Sequence, residues 1–227
     1  MAWMAGDGGA AGTLCRQAIE LFTAAGRTHP AARVSARLGE VERASGRLEE
    51  AMAMMRAALE VLAGDEPDED LAALTAQLGR FEVFGGALDE GAAHLEQALP
   101  VAEALGLPEV LSEALATKAA LLQFRGRVHE SEALTTHALA IALEHDLAST
   151  ALRAYGNLAY VLCTRDRYKE AIEQLERGLV LARKVGSRLW ELALVDTMVD
   201  ALVILGRWDE AADWVARMPE PQADTPG

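Results

Sequence analysis

A six-residue phrase of this chain returns every 40 positions without drift, and that period limits what it can fold into. Gly46-Arg47-Leu48-Glu49-Glu50-Ala51 recurs as Gly86-Ala87-Leu88-Asp89-Glu90-Gly91 and as Gly126-Arg127-Val128-His129-Glu130-Ser131. It recurs again as Asp166-Arg167-Tyr168-Lys169-Glu170-Ala171 and as Gly206-Arg207-Trp208-Asp209-Glu210-Ala211. A fixed period between about 20 and 50 residues marks a chain built by stacking one supersecondary unit on the next. Size is specified column by column. Ala11, Ala51, Gly91, Ser131, Ala171 and Ala211 form one column of small residues, and Ala18, Ala58, Ala98, Ala138 and Gly178 form a second. Ile19, Leu59, Leu99, Leu139 and Leu179 follow the second column and are bulky throughout.

Within each period two stretches carry helical spacing, as in Leu152, Tyr155, Leu158, Ala159 and Leu162, followed by Ala171, Ile172, Leu175, Leu179 and Val180. The unit is therefore a helical hairpin. Gly26, Gly106 and Gly186 stand where a helix closes on a left-handed residue, with Glu66 and Asp146 at the intervening equivalents. These breaks predict an all-α chain of about eleven antiparallel helices, near 10–26, 30–45, 48–63, 68–85, 88–105, 108–125, 128–145, 148–165, 168–185, 188–205 and 208–217. The domain reading is a flexible 1–9, one repeat array over 10–218 and a disordered tail over 219–227. An unpaired helix at either end reads as a fragment of a longer protein, the alternative being that helix 10–26, with its Arg16, Gln17 and Glu20, is itself a cap.

The formal charge of −14 and the three lysines, Lys118, Lys169 and Lys184, speak against nucleic acid, whose phosphates need clustered cations. The acidic run from Asp65 to Asp70 reads as a solvated loop leading into a helix, without the spacing of a calcium loop. Cys15 and Cys163 are too far apart in sequence for a disulfide framework or zinc site, which with the lack of a signal peptide or membrane-length apolar run makes a cytoplasmic protein the expectation. None of the motifs His-Glu-x-x-His, Gly-x-x-x-x-Gly-Lys-Ser/Thr, Gly-x-Ser-x-Gly or Cys-x-x-Cys occurs. His29, His94, His129, His137 and His145 lack ligand spacing, so neither metal nor cofactor is expected, and the chain is not read as an enzyme.

The residues resemble the tetratricopeptide repeat. Gly39, Gly79, Ala119 and Ala159 match its small position in the first helix, where Val199 departs, and Tyr168 and Trp208 match its aromatic after the turn. The stretches Asn157-Leu158-Ala159-Tyr160 and Asp166 to Ala171 form the closest copy. Forty-residue variants of this kind are similar to those of bacterial signalling proteins, LuxR-type ATPase activators and multidomain adenylyl cyclases. The resemblance implies an α-α superhelix, a tetratricopeptide-like solenoid whose first helices line a concave binding face. Carried over position by position, it implies a ligand groove at Arg33, Arg37, Gln77, Arg80, Arg153, Asn157 and Tyr160. Asn157 stands where peptide-binding members bond a ligand's backbone, and an arginine fork there suits a carboxylate or phosphate. Phe84, Phe124 and Cys163 are expected near this groove, packed between hairpins. The implied function is a non-catalytic scaffold for a protein or peptide partner; the alternative is an effector-sensing regulatory segment of a larger signalling protein, holding a small-molecule effector.

Overall fold

The computed structural model describes residues 8–44, 46–64 and 66–217. Among them are eleven helices and no strand: α1 Gly8–Ala24, α2 Thr28–Ala44, α3 Leu48–Leu62, α4 Glu69–Phe84, α5 Leu88–Ala104, α6 Pro108–Phe124, α7 Val128–Glu144, α8 Ala148–Cys163, α9 Tyr168–Val185, α10 Arg188–Ile204 and α11 Trp208–Ala216. Each lies within two residues of its expected place. The expectations for the two ends, a flexible 1–9 and a disordered 219–227, fall outside the described residues, apart from Gly8 and Gly9, which begin α1.

The regularity has a local cause. At nine junctions the residue after the turn donates its N–H to the carbonyl five positions back, from Arg27 to Phe22, Arg47 to Glu42, Ala87 to Glu82, and so on to Arg207 to Leu202. This closure needs one residue with positive φ, supplied by Gly26, Gly46, Gly86, Gly106, Gly126, Gly186 and Gly206, and at the remaining two by Asp146 (φ 54°) and Asp166 (φ 57°). An aspartate tolerates that conformation less well than glycine. Asp166→Gly is therefore expected to stabilise the fold by about 0.5–1 kcal/mol, read as a raised denaturation midpoint. The same change at Gly-occupied junctions is not available, so Asp146→Gly is the matched second test.

The turn arginines also order the helix that follows. Arg127, Arg167 and Arg207 each donate Nε to a glutamate three residues on, Glu130, Glu170 and Glu210, at 2.7, 2.6 and 2.7 Å. The guanidinium holds each of these carboxyls below the ordinary glutamate range. These pairs are solvated and fix geometry more than they add stability.

Packing divides the chain into two compact units, one ending at Thr117 and the other beginning at Lys118, within α6. In the first, Met55, Leu62 and Leu78 are fully buried with Ala32, Leu74 and Phe81 around them. In the second, Leu152, Leu175, Leu179, Leu194, Met198 and Leu202 form the interior, and Trp190 and Trp214 pack against it. The small columns sit at the tightest helix contacts: Ala51, Ser131, Ala171 and Ala138 are wholly buried. No described helix is long and apolar enough to cross a membrane.

Candidate functional site

The seven groove residues fall into two groups, one in each unit. In the first unit, all four lie on α2 and α4, and the structure gives three of them internal partners. Arg33 donates Nη2 to Asp68 Oδ2 at 2.6 Å and Nη1 to Asp70 Oδ2 at 2.9 Å. Arg37 lies 3.5 Å from the other oxygen of Asp70. Hydrogen bonding to Asp68 is the first reason the Arg33 guanidinium is held above its ordinary range, and the same bond holds the Asp68 carboxyl below its own. Asp68 also caps α4, accepting from the Leu71 N–H at 2.9 Å. The acidic run is thus not merely a solvated loop, because two of its carboxylates bind the guanidinium of Arg33. Arg80 stacks over Phe81 at 5.0 Å, and Gln77 is half-buried on α4.

In the second unit, α8 carries Arg153, Asn157 and Tyr160 on neighbouring turns of one face. Burial of Leu152, Tyr155, Leu158, Ala159 and Leu162 in the core fixes which face that is. Tyr160 is 58 % exposed, and neither its hydroxyl nor the Asn157 amide has a hydrogen bond among the described residues. Arg153 is half-buried and has interactions of its own.

The aromatic expectations are corrected. Phe84 and Phe124 do not pack away between hairpins; they are 59 % and 54 % exposed at the ends of α4 and α6. Each is the last residue of its helix. Cys163 is half-buried, and burial first, then the negative charge of Asp200, pushes its thiol above the ordinary range. That keeps it protonated and a poor nucleophile. Among the described residues no cluster of three His, Cys, Asp or Glu side chains could hold a metal ion.

A polar cluster that the sequence reading did not identify lies in the first unit. Glu82 of α4 is 1 % exposed, yet it is a carboxylate. Arg56 of α3 donates Nε and Nη2 to its Oε1 at 3.2 and 3.0 Å, and His94 Nδ1 of α5 lies 2.6 Å from its Oε2. One period earlier Glu42 is also buried, bonded by Arg16 at 3.1 Å and by Arg47. The signal was present in the columns. Positions 42 and 82 hold Glu where 122, 162 and 202 hold Leu, and Arg16 and Arg56 stand 40 residues apart, each 26 before its glutamate.

Residues 151–185 match the family model of the tetratricopeptide repeat. No curated protein matches the chain. Among solved structures, BtubC from P. vanneervenii is 16 % identical with a TM-score of 0.71, over 97 % of this chain and 96 % of its own. A signal transduction ATPase with numerous domains and a tetratricopeptide repeat sensor, from Pyrococcus horikoshii, is 12 % identical with a TM-score of 0.68, over 82 % of this chain and 28 % of its own. A Rap protein solved in complex with Competence and Sporulation Factor is 16 % identical with a TM-score of 0.66, over 84 % of this chain and 63 % of its own.

Proposed function

We propose that this chain, an all-α array with a tetratricopeptide-like fold, is a non-catalytic scaffold that holds a protein or peptide partner against the exposed face of its first helices, with α8 as the principal contact. The carrying observation is the pair Asn157 and Tyr160, one turn apart on a helix otherwise committed to the core, with polar groups that no described residue satisfies. An amide that both donates and accepts suits a partner's backbone, and an exposed phenol supplies the large amphipathic contact that dominates binding surfaces. Arg33 and Arg37 belong to the same proposal in a different state. Asp68 and Asp70 already occupy them, so a partner's carboxylate has to displace an internal one. The structural likeness to a Rap protein complexed with Competence and Sporulation Factor supports binding by this fold. Cys15 and Cys163 are not joined in a disulfide, which suits a cytoplasmic setting.

The likeness to an ATPase with a tetratricopeptide repeat sensor favours a second reading, in which the chain senses an effector for an activity located elsewhere. The first reading is tested with Asn157→Ala/Tyr160→Ala. Loss of the Tyr160 side chain is expected to cost about 2 kcal/mol of binding or more, so partner capture from extracts of the source cells falls below detection while circular dichroism is unchanged. Capture that persists at wild-type level in a folded double variant removes the α8 face from the proposal.

A further inference from the structure

Beside the buried Glu82 runs an elongated trough of about 480 Å³, within the first unit and distinct from the first-helix face. Its floor is α4, through Leu71, Ala72, Thr75 and Leu78, and its walls are α3 and α5. The volume lies in the range of small-molecule pockets, about 300–1,000 Å³. Its two ends differ. Arg56 and His94 stand at one end, and Ala63, Pro67, Leu71 and Val101 at the other. Arg56 and Ala63 are two turns apart on α3, so the apolar stretch between them is about 10 Å long. The Thr75 hydroxyl is satisfied by the Leu71 carbonyl at 2.7 Å, which leaves its methyl group for the floor.

The polar end presents donors. Both Glu82 oxygens are taken, one by Arg56 and the other by His94, so the carboxylate is already engaged on both sides. Arg56 uses Nε and Nη2 on Glu82, which leaves Nη1 for a further acceptor, and its side chain is 45 % exposed. Glu60 and Gln97 are exposed on the rim, midway along.

The repeat supplies a natural comparison. A second trough of about 350 Å³ lies one period earlier, lined by Ile19, Ala31, Ala32, Ser35, Ala58 and Val61, the 40-residue equivalents of Leu59, Leu71, Ala72, Thr75, Ala98 and Val101. It lacks the polar end. Met54 replaces His94, Arg16 does not line it, and the second partner of Glu42 is Arg47, whose equivalent beside Glu82 is Ala87. A trough of this kind follows from the period and the small column; the donor end is peculiar to the α3–α5 copy.

We propose that this trough binds a small amphipathic monocarboxylate, its alkyl chain of about eight to ten carbons lying along α4 and its carboxylate accepting from Arg56 Nη1 and from Nε2 of His94, which in its imidazolium form donates to both carboxylates. Binding here is independent of the α8 face, so either reading can fail while the other stands. The test is calorimetric titration of the full chain with decanoate, decanol and decylamine. Decanoate is expected to bind one per chain, with the alcohol and the amine weaker by about tenfold or more, as loss of a charge-assisted hydrogen bond implies. Ala87→Arg/His94→Met transplants the neighbouring arrangement while keeping Glu82 paired, and is expected to erase the preference for decanoate over decanol. Ala63→Trp, at an exposed position at the far end, is expected to weaken decanoate about tenfold or more and to spare hexanoate. Decanol binding as tightly as decanoate, an affinity unmoved by Ala63→Trp, or no decanoate heat at millimolar concentration overturns the proposal.

Discussion

Valine in place of Gly91 is expected to destabilise the protein by about 3 kcal/mol. Gly91 of α5 faces Gly79 of α4, and the two backbones meet without side chains between them. A Cβ at 91 would lie 2.7 Å from Val83 Cγ2, 2.8 Å from the Gly79 carbonyl oxygen and 2.9 Å from the Val83 nitrogen. Two of these three atoms are backbone, so the helices have to separate. Even Gly91→Ala, which gains about 1 kcal/mol of helix propensity, is expected to be a net loss. The same column holds Ala51 and Ala171, buried completely, where the hairpins already accommodate a methyl group. Urea denaturation of Gly91→Ala and Gly91→Val beside Ala171→Gly reads the difference. An unchanged midpoint for Gly91→Val would mean that α4 and α5 do not approach as closely as the structure places them.

Arg56→Met is expected to cost about 3 kcal/mol, because it leaves Glu82 buried at 1 % exposure with His94 as its one remaining described partner. The pair is asymmetric. Glu82→Leu leaves Arg56, which is 45 % exposed and can return to water, so that change is expected to be near neutral. It also restores the residue found at the equivalent positions Leu122, Leu162 and Leu202, all buried. Arg56→Met/Glu82→Leu should therefore recover most of the loss, and a double-mutant cycle gives the coupling directly. Additive losses would mean that Arg56 contributes by packing alone.

The helices were legible because each is bounded by a chemically obligatory turn. Seven glycines and two aspartates take the left-handed conformation at 20-residue intervals, with a gap only at position 66 between α3 and α4, and no tertiary contact is needed to place them. The tightness of the hairpins was legible for a related reason, since a column of Ala, Gly and Ser can be read without knowing its neighbours.

What the sequence reading passed over depended on residues brought together across 26 to 37 positions. Asp68 and Asp70 look solvated in a local window, and only the α2–α4 juxtaposition shows them on Arg33. Glu82 follows an amphipathic pattern in isolation. Its burial becomes readable when the repeats are aligned and glutamate replaces leucine in a core column, with arginine replacing Glu96, Thr136 and Glu176 in the column that faces it. Phe84 and Phe124 misled for the opposite reason, because aromatic residues near a helix end carry no label for which side of the last turn they occupy.

Of the seven groove positions, the structure separates those with described internal partners from those without. Arg33, Arg37 and Arg80 are engaged, whereas Asn157 and Tyr160 have no hydrogen bond among the described residues. That contrast makes α8 the place to interrogate. A photoreactive benzoylphenylalanine placed at Tyr160 in living source cells, compared with the same group at the exposed Glu173 of α9, reports which face meets a partner. The scaffold account predicts a discrete protein adduct from position 160 that vanishes with Asn157→Ala, and none from 173; adducts of equal yield at both positions, or an adduct at 160 indifferent to Asn157, would contradict it.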